Sequence, residues 1–148
     1  MTGSALHFEE FEVGQAWTTQ GRTVTEADIV AFVGLSWDGN PLHVDAEYAK
    51  TTPFGERIAH GLLGLSITSG LFSRLGIIEG TTIAFLGLEW SFKGVIVVGD
   101  TITARYRVAE TRETSKPDRG IVILTVELVN QRGEVVQEGK QTLLMRRR

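Results

Sequence analysis

His60-Gly61-Leu62-Leu63-Gly64-Leu65-Ser66-Ile67-Thr68-Ser69-Gly70-Leu71-Phe72-Ser73-Arg74-Leu75 carries no carboxylate or lysine between His60 and Ser73. Its leucines, Ile67 and Phe72 fall on several faces of a helix, relieved only by glycine, serine and threonine. A helix that is apolar nearly all round has no side to give to water, so this segment is expected to be buried. What buries it lies downstream. Ile102, Ala104, Tyr106 and Val108 alternate with Thr101, Thr103, Arg105 and Arg107, the period-two pattern of a half-buried strand. Ile121 to Val129, Val135 to Met145 and Thr82 to Phe92 read as three further strands, with a turn at Gln131-Arg132-Gly133-Glu134. Consecutive strands joined by short turns pair antiparallel. One buried helix and one large antiparallel sheet make an α+β domain in which the sheet wraps around the helix.

Upstream, Ala16 to Val24 is expected to be a strand, with Trp17, Thr19 and Val24 as its β-formers. Thr25 is placed to cap a helix whose first turn holds Glu26 and Asp28, where acidic groups suit the helix dipole. Ile29, Val30, Phe32 and Val33 give it an apolar face, and it is expected to end near Ser36. Trp37-Asp38-Gly39-Asn40-Pro41 reads as a turn. Asp45 is expected to cap a second short helix through Ala49.

At 148 residues and 42% hydrophobic content the chain is expected to be one domain, residues 1–148, with a single sizeable core. Fifteen basic against 18 acidic side chains leave a net charge of -3, no footprint for nucleic acid or an anionic membrane. There is no cysteine, so disulfides, thiolate zinc sites and cysteine nucleophiles are excluded. No apolar run approaches the ~20 residues of a membrane span. Met1 to Glu10 lacks the basic-then-apolar order of a signal peptide, so a cytoplasmic protein is expected. Arg146-Arg147-Arg148 is read as a solvated basic tail.

With three histidines, acid–base sites are quickly enumerated. His7 falls in a segment expected to fray. Asp38 and His43 flank Gly39-Asn40-Pro41-Leu42, and a tight turn there can aim a carboxylate and an imidazole at a common point, a pair suited to general acid–base work. The same spacing is equally met by Asp38 capping a turn while His43 packs. His60-Gly61 opens the buried helix, where the first amides have no internal acceptor and the dipole adds partial positive charge. Glycine at 61 permits either close approach of an oxyanion or close helix–sheet packing. Ser66 and Ser69 sit one turn apart and face either a cavity or the carbonyls of the preceding turn. Gly64-Leu65-Ser66-Ile67-Thr68 lacks the second glycine of a nucleophile elbow, which argues against a serine hydrolase. His43, Asp45 and His60 have no recognised metal-ligand spacing. No phosphate-cradling loop or dinucleotide fingerprint is present.

Asp38-Gly39-Asn40-Pro41-Leu42-His43 resembles the hydratase motif of the MaoC-like, (R)-specific enoyl-CoA hydratases: Asp, any residue, Asn-Pro, any residue, His. Ile58-Ala59-His60-Gly61-Leu62-Leu63 is similar to that family's entry into its central helix, and Phe92 to Thr101 to its later strand and Gly-Asp turn. The resemblance implies a hot-dog fold, a homodimer or higher assembly, and an acyl-CoA site near the subunit interface. It puts Asp38 and His43 on the catalytic pair, Gly61 on the amide that polarises the thioester carbonyl, and Ser69 near the catalytic carboxylate. Asn40, Ser66 and His60 then support the substrate site. Trp37 beside Asp38, and Val95 where many relatives carry proline, depart from the pattern, and the first bears on acyl-chain preference. The implied reaction is reversible syn hydration of a trans-2-enoyl-CoA to a 3-hydroxyacyl-CoA, with no metal or redox cofactor and the CoA thioester as substrate. Two other readings stand beside it. One is a hot-dog acyl-CoA thioesterase, disfavoured because no acid lies between Gly61 and Ile78. The other is a non-catalytic acyl-CoA-binding subunit of a heteromeric dehydratase, disfavoured because this chain keeps both Asp38 and His43.

Overall fold

The computed structural model describes residues 4–148. A 3-10 turn, Phe8–Glu10, precedes two short strands, β1 (Ala16–Thr18) and β2 (Arg22–Thr23). Helices α1 (Glu26–Ser36), α2 (Pro41–Val44), α3 (Ala46–Ala49) and α4 (Gly61–Ser73) follow, then strands β3 (Thr82–Phe92), β4 (Thr101–Glu113), β5 (Arg119–Val129) and β6 (Val135–Arg146). The strands form one antiparallel sheet in the order β1-β4-β5-β6-β3, with β2 also paired to β4. This is the expected α+β hot-dog arrangement, a long helix cradled by a sheet. No helix among the described residues is long and apolar enough to cross a membrane.

The sheet buries α4 through the alternation legible in β4. Ile102, Ala104, Tyr106 and Val108 are buried, as are Val122, Leu124, Val126 and Leu128 on β5, and Leu63, Ile67, Leu71 and Phe72 meet them from α4. Phe72 stacks on Tyr106 with ring centroids 4.2 Å apart, and the Tyr106 hydroxyl donates to the Thr68 carbonyl at 3.2 Å. Burial pushes that phenol far above its usual range and keeps it a donor.

Four expectations are corrected. Burial of α4 is one-sided: Leu62, Ser66, Ser69 and Gly70 are exposed, as are Phe85, Leu88 and Phe92 of the edge strand β3. The first strand breaks in two because Thr19 turns inward and clasps Ala104, its N–H donating to the carbonyl and its hydroxyl accepting from the N–H. The N-terminal segment is anchored, not frayed. Leu6 N–H donates to the Ile77 carbonyl, Phe8 and Phe11 are buried, and Gly120 is the only residue type that leaves room for the Phe8 ring. The terminal arginines are tied down too: Arg147 bonds Glu9 and lies over the Phe8 ring, while Arg148 bonds Glu10.

The β3–β6 register fixes where the edge strand meets the helix, and it depends on Gly139, which pairs with Trp90. A Cβ there would collide with the Glu89 carbonyl and lie 2.7 Å from the Trp90 ring. Gly139→Ala is expected to cost about 2–3 kcal/mol, the scale of overpacking a tight site. A urea midpoint unchanged from that of the unmodified chain would disprove it.

Candidate active site

The turn after α1 is held by strain and by local bonds. Trp37 closes the helix in the left-handed region (φ 64), the one non-glycine residue with positive φ among those described. Its N–H donates to the Val33 carbonyl at 2.8 Å, and its side chain is 91% exposed. A bulky residue there costs roughly 1–2 kcal/mol, so the neighbours must hold the turn. Ser36 does so from one side, its hydroxyl donating to Phe32 and accepting from Asp38 N–H. Asp38 Oδ1 accepts from Asn40 N–H at 3.2 Å.

His43 stands on a helix, not in the tight turn expected. Asn40 Oδ1 caps α2 by accepting from Leu42 N–H, and Pro41 occupies its first position. The signal was in the sequence: Asn followed by Pro is a helix start as well as a turn. α2 buries His43 and brings its Nδ1 2.7 Å from the Ile58 carbonyl. A carbonyl only accepts, so Nδ1 carries the proton, and in the neutral ring the Nε2 lone pair is free.

His60, at the N-cap of α4, is 2% exposed. Its ring stacks on His43 at 3.8 Å and 24°, and packs on Phe32 at 4.8 Å. Its Nε2 lies 2.8 Å from the Asp38 backbone carbonyl and therefore donates. Its Nδ1 is buried with no partner. One imidazole thus touches the backbone of Asp38 and the ring of His43.

One carboxylate oxygen of Asp38 and one nitrogen from each of His43 and His60 lie within 4.8 Å of one another. Two hydrogen bonds of ~2.8 Å meeting at a tetrahedral water span about 4.6 Å, so groups no more than 4.8 Å apart are within reach of one bridging water. A shared metal ion fits less well. Ligating nitrogens aim in-plane at an ion ~2 Å away, and two rings only 24° from parallel do not converge at that distance.

Beyond His60, the Gly61 and Leu62 N–H groups meet no acceptor among the described residues, while the His60 carbonyl accepts from Leu63 and Gly64. A Cβ on Gly61 would lie 2.7 Å from the Phe92 ring, so glycine serves close packing here while its amide stays open. Gly61, Leu62, Phe54, Ile58, Phe92 and Gln137 line a groove of about 600 Å³. The serines do not join this cluster. Ser66 Oγ donates to the Leu62 carbonyl and Ser69 Oγ to that of Ser66, and no hydrogen bond links Ser69 to Asp38. Ser66 lines a separate groove of about 270 Å³ with Phe32, Leu35 and Leu63. Gln137, which the sequence reading passed over, is 1% exposed and bonds the Gly61 carbonyl.

His60→Phe keeps an aromatic ring on His43 but leaves the Asp38 carbonyl without its donor. Loss of such a buried bond is expected to cost about 1–3 kcal/mol. Urea denaturation reads it, and a midpoint equal to that of the unmodified protein would refute the role given to Nε2.

Residues 9–130 match the MaoC like domain. The chain is 34% identical over 139 residues to an (R)-specific enoyl-CoA hydratase of Rhodospirillum rubrum, covering 94% of this chain and 91% of that one. It is 37% identical over 132 residues to an (R)-specific enoyl-CoA hydratase of Aeromonas caviae, covering 89% and 93%. A solved structure described as a monoamine oxidase regulatory protein from Archaeoglobus fulgius superposes with a TM-score of 0.93 at 36% identity, over 100% of this chain and 99% of that one. With a matching domain over most of its length and full-length relatives of this similarity, the chain belongs to the MaoC-like family, among whose members are hydratases and dehydratases.

Proposed function

We propose that this chain is a cytoplasmic hydro-lyase that reversibly adds water to a trans-2-enoyl-CoA, giving the (R)-3-hydroxyacyl-CoA. The observation that carries the reading is an Asp38 carboxylate oxygen within 4.8 Å of a ring nitrogen of His43, an imidazole whose Nδ1 is committed to Ile58. With Nδ1–H held there, neutral His43 can only accept at Nε2, so it takes the proton of the bound water while Asp38 orients that water. The oxygen bonds to the β-carbon, and the π electrons move onto the thioester oxygen as an enolate. Gly61 N–H, with the α4 dipole behind it, stabilises that oxygen. His43 then returns the proton to the α-carbon from the same face, which is syn addition and balances every atom of water. No metal or redox group enters. A hot-dog thioesterase would call for a catalytic carboxylate on or beside α4, and no acid lies between Gly61 and Ile78.

Asp38→Asn and His43→Gln are each expected to lower kcat for crotonyl-CoA hydration by at least ~10²-fold while still folded at the assay temperature, His43→Gln with a lowered thermal midpoint because it gives up the His60 stack. Loss of enoyl-thioester absorbance without free thiol is the readout. Folded variants at normal rates, or release of free CoA by the unmodified protein, would sink the assignment.

The uncovered face supports a homodimer. β3 ends the sheet, and Phe85 (54% exposed), Leu88 and Phe92 stand exposed along it, Phe92 in one groove with the exposed Leu62 of α4. Pairing of two β3 edges about a two-fold axis would extend the sheet and bury these side chains beside the groove at Gly61. Light scattering is expected to give twice the 16.3 kDa of one chain, and Leu88→Lys to halve it. A monomeric unmodified protein would rule the dimer out.

A further inference from the structure

Among the described residues, Gln137 is the one polar side chain that hydrogen-bonds from the sheet to the start of α4. It sits on β6 opposite Phe92 of β3, on the buried register of a strand whose inward positions are otherwise Gly139, Gln141, Leu143 and Met145. Its orientation is determined. Trp90 Nε1–H can only donate, and lies 2.9 Å from Oε1; the Gly61 carbonyl can only accept, and lies 3.0 Å from Nε2. The amide is clamped at both ends.

The helix makes room for this contact. A Cβ at Gly64 would strike the Gln137 amide and stand 2.9 Å from Ile96, and one at Gly61 would strike Phe92. Both glycines of the first turn are therefore required where Gln137 and its strand partner press against it. A packing role alone would be met by an apolar residue of this size, without burying an amide that needs two partners.

We infer that Gln137 is a positioning residue for the reaction, holding and polarising the first peptide of α4; its effect on rate rests on the hydratase reading above. The Gly61 carbonyl and the Leu62 N–H belong to one peptide unit. A hydrogen bond accepted by that carbonyl makes the N–H a stronger donor. Leu62 N–H, like Gly61 N–H, has no acceptor among the described residues and opens beside the same groove. Gln137 thus fixes the orientation of the Leu62 amide and strengthens it as a second donor beside Gly61 N–H, where negative charge forms on the thioester oxygen.

Two variants separate this from a merely structural role. Gln137→Met removes the donor at nearly constant volume. Gln137→Glu retains an acceptor for Trp90 and a donor for Gly61 only while the carboxyl is protonated, a form that burial favours. With crotonyl-CoA, the Met variant is expected to lose roughly tenfold in kcat with KM within about twofold, less than the ~10²–10³ for removing an oxyanion donor outright. The Glu variant's rate relative to the unmodified protein is expected to rise as pH falls, since the ionised carboxylate can no longer donate and places negative charge beside the enolate. A folded Met variant with normal kcat, or a Glu ratio flat with pH, would overturn the proposal. Should the Met variant not fold, the Glu ratio decides. The ¹⁵N resonance of Leu62, recorded without substrate, is expected to move in either variant and, for Glu, to titrate; an unmoved resonance overturns the proposal. Should the unmodified protein leave enoyl-CoA untouched, the hydratase reading fails alone and this resonance still judges the contact.

Discussion

The N-terminus of a buried helix is a set of amide donors with nowhere to go, and this fold is built around one. α4 has to start inside the molecule, because its apolar length is what the sheet wraps. His60 takes the N-cap position but makes no side-chain cap bond to the helix. Its ring is turned outward to Asp38 and His43. The helix start is thereby left open as a place for negative charge, and the acid–base groups are assembled from the residue immediately before it.

That arrangement explains why segments distant in the chain meet with little structure between them. α1 delivers Asp38 at the end of a strained left-handed cap, α2 delivers His43 on a single helical turn, and Ile58 and His60 come from the extended stretch leading into α4. Isolated, a four-residue helix has no stability of its own. It persists here because Asn40 caps it and because His43 is gripped from two sides, at Nδ1 by Ile58 and on its face by His60. His60 is the common member: each catalytic candidate loses a contact if its ring is removed. Bidentate pairing of Arg57 with Glu26 adds a second tie between α1 and the segment that carries Ile58, and the guanidinium holds that carboxyl below its ordinary range.

What the sequence made legible follows from what periodicity can encode. The four long strands and α4 were readable because each has a face that must be apolar, and alternation or its absence is a one-dimensional signal. Thr25 and Asp45 were readable as helix starts because their partners are three residues away, although at α1 the bond runs from Thr25 N–H to the Asp28 carboxylate. His43 was placed near Asp38 correctly in kind but on the wrong element, since Asn40-Pro41 serves a turn and a helix start alike. Ser66 and Ser69 were drawn toward the site by their spacing; in the structure their hydroxyls satisfy carbonyls of their own helix, a contact no spacing rule distinguishes. The anchoring of His7's neighbours and the terminal arginines was illegible for a different reason. Their partners lie about 140 positions apart, and nothing local in either segment announces the other.

The open face of α4 and the unpaired edge of β3 are one fact seen from two elements. A helix with this composition would be expected to hide every side, yet Leu62 remains 59% exposed beside Phe92 in the same groove, and Phe85 and Leu88 are exposed farther along β3. Moving those side chains into the core of a single chain is impossible, because the sheet already closes over the opposite face of the helix. Replacing them with polar residues would solve exposure but would also remove the apolar wall of the groove that begins at Gly61. A surface that is apolar for the sake of the site exposes apolar area to water, and that cost is what favours the proposed pairing of two copies. In such a dimer the assembly and the site would share residues, and a change that separated the copies would also alter the groove in which the substrate would lie.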